Sequence, residues 1–456
     1  MPTPLNVEAL IDEAGFSRYQ WLILLLCFLV MFLDGYDLAA VAYIVPSLME
    51  EWGLSKPQLG QALSAALFGL AIGALLAGPL ADRLGRKPAL LWSVLLFGLG
   101  SLVTAWADGL NTLTVYRLLT GIGLGAALPN TITLLSEYAP TRQRAMLVSA
   151  MLCGFPLGAG AGGLCAGWLI PLYGWQSLML LGGALPLLLC LLLWWRMPES
   201  VRYLVAKQAS PELIRHILLR IVRSPALLQA QSFSLGEQAA AQHQSSLREV
   251  LSRPLGAGTL LLWLCCFMSM LVYYMGVNWM PLLLKEAGLS LQQFSVISAL
   301  FPIGGGVGSI VVGWAMGRWE SNKILAGTYL AAGLLAWAVG NAVGHGEQSW
   351  LLGSLVFCMG FASGGGQSAL SSMAAGFYPT HCRATGVGSM LGVGRFGAIS
   401  GILLGAELLR QQIAPGQIFT ALLLPATLVC SALLLKFLLY RRRPAFKQAQ
   451  PAGAVD

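Results

Sequence analysis

Two carboxylates, Asp34 and Asp37, stand three residues apart in an otherwise apolar run from about Trp21 to Leu48. At that spacing they share one helical face. An ionised acid at mid-bilayer depth costs at least a few kcal/mol, which makes such acids functional candidates by default. The chemistry that suits them is proton carriage; the alternative is a structural pair hydrogen-bonded to neighbouring helices. Arg117 and Arg395 stand in other apolar runs. Arg395 falls near the midpoint of its segment, with Gly388 and Gly392 leaving room beside it and no acid at its own level. A guanidinium can grip a carboxylate with two parallel donors, as Lys cannot. Arg395 is therefore the first candidate to hold an external carboxylate, and an interhelical strut is its alternative. Arg117 lies about 10 Å in from the outer surface and Asp37 about 16 Å, at 1.5 Å per residue. It either bridges to that acid or snorkels to the interface.

The elements that must position these groups are membrane spans. Of 456 residues, 57% are hydrophobic and 10% charged, with 54 glycines. A soluble domain carries about 25% charged residues, and glycine is more frequent in membrane helices. Apolar windows long enough for a hydrocarbon core of about 30 Å fall at 20–48, 58–81, 88–107, 111–135, 145–172 and 175–195. A second set falls at 256–284, 292–316, 324–343, 349–377, 385–408 and 416–440. The expected fold class is an all-α integral membrane protein with twelve transmembrane helices in two six-helix bundles. The bundles cover 20–196 and 256–440, with a central loop at 197–255 and ends at 1–19 and 441–456. The central loop is polar and reads as a linker with a solvated basic face.

The net charge of +8 does not point to nucleic acid, because the cations are confined to particular loops. One set of loops holds Arg83, Arg86, Lys87, Arg142, Arg144, Arg318, Lys323, Arg383, Arg441, Arg442 and Arg443, and the central loop adds more. The opposite set offers Lys56, Lys285 and Arg410. The positive-inside rule places both termini and the central loop in the cytoplasm. The polar N-terminus, with Glu8, Asp12, Glu13 and Arg18, does not read as a signal peptide. The nine cysteines sit mostly in apolar runs without metal-ligand spacing and read as small buried hydrophobes. His216, His243, His345 and His381 fall in loops or at helix ends, so carboxylates are the proton carriers to consider, with Glu137 and Glu407 after the first two.

The halves are repeats of one another. Pro46–Ser55 matches Pro281–Ser290 at an offset of 235 residues, which also lays Gly78 on Gly313 and Arg83 on Arg318. Pro140–Ala145 matches Pro379–Ala384 at an offset of 239. Six-helix halves of the same orientation imply a parallel repeat, with binding at mid-membrane between the halves and access alternated by rocking.

The loop after the second helix, from Gly78 through Asp82, Arg83, Gly85 and Arg86 to Lys87, resembles the cytoplasmic signature of the major facilitator superfamily. The fourth helix, from Arg117 through Gly121, Gly123 and Gly125 to Pro129, resembles that superfamily's fourth-helix motif. Pro198–Leu204 resembles a further signature. Asp34-Gly35-Tyr36-Asp37, the stretch from Tyr378 through Arg383 to Gly388, and Gly394–Gly397 are similar to the aromatic acid:proton symporters, which import benzoate-like acids into bacteria. The second copy of the loop signature departs from the first, with Gly317 at the position of Asp82. A strong latch is expected on the first half only.

The resemblance implies a secondary transporter of the bacterial inner membrane, not an enzyme. It would import a hydroxybenzoate-, protocatechuate-, gallate- or phenylpropionate-like acid with protons, as a monomer, with no cofactor beyond the proton gradient. Asp34, Asp37, Arg117 and Glu137 are the coupling candidates. Arg395 and Arg117 are candidates for the carboxylate, and Tyr36, Tyr273, Tyr274, Asn278, Trp279 and Gln367 for the ring and its hydroxyls, with packing as their alternative role. Gly78, Asp82, Arg83, Gly85, Arg86, Arg142, Arg144 and Arg383 are the gating set. A proton-driven exporter and a sugar-type symporter are the alternatives within transport. A receptor would need a larger soluble domain than any segment here supplies.

Overall fold

A computed structural model describes residues 5–222, 227, 232–234, 247–252, 254–344, 349–379 and 382–440. Twelve helices in it are long and apolar enough to cross a membrane. Spans 1 to 6 are Arg18–Trp52, Lys56–Leu84, Arg86–Thr104, Leu110–Tyr138, Met146–Tyr173 and Gln176–Arg196. Spans 7 to 12 are Gly256–Glu286, Leu291–Met316, Ser321–Val343, Ser349–Phe377, Thr385–Arg410 and Pro415–Tyr440. The expected all-α class holds; the described strands are the two-residue pieces Leu5–Asn6 and Phe233–Ser234, paired in parallel.

The repeat seen in the residues is built into the backbone. Gly53 and Gly288, with φ of 61° and 91°, end spans 1 and 7 in the left-handed region that glycine tolerates. Two residues later Ser55 and Ser290 start the next spans, and Gln58 and Gln293 each accept a backbone N–H from that serine at 2.9 and 3.0 Å. Within the bundles, glycines let backbones touch where no hydrophobic effect drives helices together. A Cβ at Gly69, Gly73, Gly121 or Gly125 would strike the backbone of the facing helix of the span 2–span 4 pair. Their repeat counterparts Gly304, Gly308, Gly360 and Gly364 do the same for spans 8 and 10.

Spans 1, 2 and 5 face spans 7, 11 and 8 across the interface between the halves. Gly163 approaches Ala299, Pro156 approaches Gly306, and Gly60 lies against Ala406. Eighteen residues, five full helical turns, separate Gly60 from Gly78 on span 2 and Gly388 from Ala406 on span 11. A Cβ at Gly78 or at Gly388 meets nothing within 4 Å. The two helices thus touch near the 52–56 and 286–291 turns, here called the far end, and part about 27 Å away. That parted end carries most of the Lys and Arg and is called the basic end.

The described parts of the central segment do not form a free linker. Val201, Leu204, Ile214, Ile217 and Leu218 are buried in the core of the first bundle, because the short helices Val201–Ala206 and Pro211–Leu219 are amphipathic. Leu247–Leu251 joins the second bundle through Val250. Within the central loop, Ser224, Pro225, Arg253 and most of a stretch rich in Ala and Gln lie outside the described residues, as do His243, His345, His381 and the 441–456 tail.

Candidate functional site

Span 1 runs unbroken past Asp34 and Asp37, and its three-residue step turns the two side chains about 60° apart around the axis. That turn sends them to different partners. Asp37, fully buried, receives Arg117 of span 4, also fully buried: Nη2 to Oδ2 is 2.5 Å and Nη1 to Oδ1 is 3.4 Å. Arg117 therefore reaches the acid and does not snorkel. The pair lies within the first half.

Asp34 is 3% exposed, and its Oδ1 has no hydrogen-bond partner. Its cationic neighbour is Arg395 of span 11, which reaches it electrostatically from the second half, with Tyr274 of span 7 beside both. Arg395 is half-buried, and its Nη1 is buried without a hydrogen-bond partner. Counted along span 11, it lies about 15 Å from the basic end. It shares a helical face with Gly388 and Ala406, at the level between contact and gap. A cation and an acid from opposite halves, each with a buried atom that has no hydrogen-bond partner, thus lie within electrostatic reach but not in ion-pair contact, where the halves begin to part.

The other ring and hydroxyl candidates divide. Tyr273 packs on Phe301 with ring centroids 5.5 Å apart and on Tyr274 at 5.7 Å, inside the second bundle. Gln367 is half-buried on span 10. Asn278 is buried one turn beyond Tyr274, whose carbonyl accepts its amide at 2.9 Å. Tyr36 is not brought to the site: its hydroxyl donates to the Leu178 carbonyl of span 6, because its place between the acids points it into the first bundle. Trp279 is fully buried and donates Nε1–H to the Ile402 carbonyl at 2.9 Å, beside Gly405 and Gly60. It seals the far end.

Glu137 stands twenty residues, about 30 Å, from Arg117 along span 4, so it does not join the acids. It belongs with the basic-end cluster, 3.7 Å from Arg86 Nε, while Arg86 Nη1 holds Asp82 at 2.5 Å. Gly85 takes φ 108°, and a Cβ there would strike the Glu199 carboxylate. Glu199 accepts the backbone N–H groups of Arg86 and Lys87 at 2.9 and 3.1 Å, capping span 3. It lies in the quoted Pro198–Leu204 signature, which offered its signal, but sequence reasoning assigned it no role. Arg83 and Arg142 are exposed, Arg144 is half-buried, and Arg383 donates Nε–H to the Tyr378 carbonyl. In the second half, Asn322 stands at the position of Lys87 and accepts from the buried Lys436 of span 12 at 3.1 Å.

Sequence reasoning also missed the far-end contacts. Lys285 pairs with Glu50, its own repeat counterpart, and Lys56 pairs with Glu286 at 2.5 Å. Two of the three cations on that side are thus committed to contacts between the halves; Arg410 is held by Glu407 within span 11 at 2.6 Å. The scarcity of cations there and the adjacent acids were the available signal.

Twelve spans in two repeated bundles, with charges buried between them, define the fold of a membrane transporter. The family model that matches, described as the Major Facilitator Superfamily, covers residues 27–402. The 4-hydroxybenzoate transporter PcaK of Pseudomonas aeruginosa is 48% identical over 432 residues, 95% of this chain and 96% of that protein. The Gallate transporter of Pseudomonas putida is 46% identical over 431 residues, 94% of this chain and 95% of that protein. Among solved structures, a D-xylose-proton symporter superposes with a TM-score of 0.70 at 18% identity, covering 94% of this chain and 99% of that one. The chain belongs to the Major Facilitator Superfamily and, within it, to the family of aromatic acid transporters. It is a transporter, not an enzyme.

Proposed function

We propose that the protein imports a small aromatic carboxylate together with protons across the bacterial inner membrane, by alternating access between its two halves. The observation that carries this reading is that Asp34 and Arg395, an acid and a guanidinium from opposite halves, each keep a buried atom without a hydrogen-bond partner and lie within electrostatic reach of one another. Arg395 takes the substrate carboxylate, Tyr274 borders the ring, and Asp34 carries the proton. Asp37 and Arg117 set the charge of the first half's interior. Relatives named for 4-hydroxybenzoate and gallate favour a hydroxylated benzoate over a sugar or an exported compound.

The energetics call for the proton. An aromatic acid is an anion at neutral pH, and an inside-negative potential opposes its entry by about 2.3 kcal/mol per 100 mV. One accompanying proton cancels that electrical work, and the pH gradient then drives accumulation. When the substrate anion occupies Arg395, Asp34 loses its cationic neighbour and faces a second negative charge nearby. A proton on Asp34 relieves that repulsion. Binding of the anion and of the proton therefore favour one another, which is the requirement for symport.

In this reading the basic end is cytoplasmic, both termini included, and the present arrangement is open to the cytoplasm and closed outside. Asp82, Arg86, Glu137 and Glu199 with Gly85 organise the cytoplasmic edge of the first half. Gly78, Arg83, Arg142, Arg144 and Arg383 line the edges that approach when that side closes. The protein works as a monomer, and the bundles divide at 20–196 and 256–440. The test is uptake of radiolabelled aromatic acids by vesicles holding the purified protein, with and without an imposed pH gradient. Gradient-driven accumulation of a hydroxybenzoate is expected. Its absence for every aromatic acid in the panel, with a sugar or cation accumulated instead, would overturn the reading.

A further inference from the structure

A cavity of about 10 Å³ lies between the halves, one helical turn beyond the Asp34 level toward the far end. Its walls are apolar, among them Leu38, Val41, Leu63 and Leu67, apart from two groups: Arg117 of the first half and Asn278 of the second. Arg117 is fully buried, and while both its Nη atoms hold Asp37, its Nε–H has no hydrogen-bond partner. Asn278 is 3% exposed and gives an amide N–H to the Tyr274 carbonyl, which fixes the amide and leaves its Oδ1 as an acceptor. A cavity of about this size holds one water, provided it offers two or more polar partners.

We infer that Asn278 is the second half's partner of the Asp37–Arg117 pair, reached through one water that accepts from Arg117 Nε and donates to Asn278 Oδ1. This rests on the proposed reading in which the pair sets the charge of the first half's interior, and it adds a positioning residue to it. With the far end closed, the water site is complete and each nitrogen of Arg117 has a hydrogen-bond partner. When the halves part there, span 7 withdraws and Arg117 is hydrated from outside. The solvation of the pair is thereby tied to closure of the far end. Ring recognition is not the work of Asn278.

Two substitutions separate this from packing. Asn278→Leu keeps the number of heavy atoms and the branched outline, at a somewhat larger volume, and removes the acceptor. Asn278→Ala removes it too but opens room for further water to solvate Arg117. If Asn278 only fills space, Leu is tolerated and Ala is the worse variant. The water site demands the reverse order: Leu slows turnover by about tenfold or more, the consequence of an unmet bond at a charged donor, and Ala stays within about threefold of the parent. KM for unsubstituted and ring-hydroxylated benzoates shifts in parallel. A Leu variant that equals or outpaces Ala overturns the inference, as does a KM change confined to hydroxylated substrates. A structure of the parent that resolves waters is the second arm: one oxygen between Arg117 Nε and Asn278 supports the site, while direct contact or a dry cavity overturns it. Should the parent accumulate no aromatic acid at all, the functional reading falls, and the cavity's density still decides the water site.

Discussion

Two acids of span 1 each have an arginine as neighbour, and the two neighbourhoods are built differently. Asp37 and Arg117 belong to the same half and form a buried ion pair, whereas Asp34 and Arg395 come from opposite halves and form none, each keeping a buried atom without a hydrogen-bond partner. A pair within one rigid bundle travels intact when the halves rock. A pair that spans the bundles changes its spacing with every cycle. In the proposed cycle it is the second that converts the arrival of a ligand into a change in the relation of the halves. In that proposal the first is the fixed charge against which the second works.

Breaking the internal pair has the largest expected effect. Arg117→Ala leaves Asp37 buried without its cation, which typically costs about 3–5 kcal/mol. A marked fall in the thermal midpoint of the purified protein, with transport lost, is expected. Neutralising both partners, Asp37→Asn with Arg117→Gln, should recover most of the stability but not the transport. An unchanged midpoint in Arg117→Ala would mean that the two pairs do not differ in the way described.

Removing the spanning guanidinium comes next and should act on binding instead of stability. In the proposed role, Arg395→Ala strands a substrate carboxylate at a cost of about 2–5 kcal/mol, roughly 30- to several-thousand-fold in affinity. Arg395→Lys should fall between, because it keeps the charge and loses the planar fork. Calorimetric titration with a hydroxybenzoate, alongside an ester analogue on the parent, measures this. Equal affinity in parent and Ala variant would leave Arg395 a strut and pass the carboxylate to Arg117.

Asp34→Asn sharpens the comparison from the other side. It should remove accumulation against a gradient yet spare exchange of labelled for unlabelled substrate, since Asn mimics the protonated acid. Concentrative uptake at the parental level would move proton carriage away from Asp34.

The smallest effect is expected at the far end, where the pairs also span the halves but are partly exposed. Each such pair is worth about 0.2–1 kcal/mol. Lys285→Glu, facing Glu50, should shift the outside–inside balance by up to about fivefold, read as labelling of a cysteine introduced at the outer mouth. Exchanging the charges, Glu50→Lys with Lys285→Glu, should restore the parental value. If the exchange restores nothing, the contact is incidental.

Much of this protein was legible as a string of residues. Twelve apolar stretches announce themselves because lipid cannot satisfy a backbone, so each crossing must be a long apolar helix. The repeat was legible in Gly53 and Ser55 against Gly288 and Ser290, since a left-handed turn followed by a serine cap admits few residue types. Arg117 and Asp37 were within reach of one another on rise alone. Less was legible at the ring site. Tyr36 and Trp279 were aromatic residues near charges, and only their hydrogen bonds to Leu178 and Ile402 place them as struts. Glu137 was legible as an acid just beyond the fourth apolar window, near Arg142 and Arg144, and the structure adds its neighbour there, Arg86.

The chain alone determined how many times it crosses the membrane, how its halves correspond and which charged residues lie at depth, because hydropathy and spacing are local properties carried along one strand of sequence. Which acid is satisfied and which is spare was decided by the tertiary structure. Three residues of helix turn Asp34 and Asp37 toward different neighbours, and those neighbours, Arg395 and Arg117, are brought from spans 11 and 4 by the packing of separate bundles.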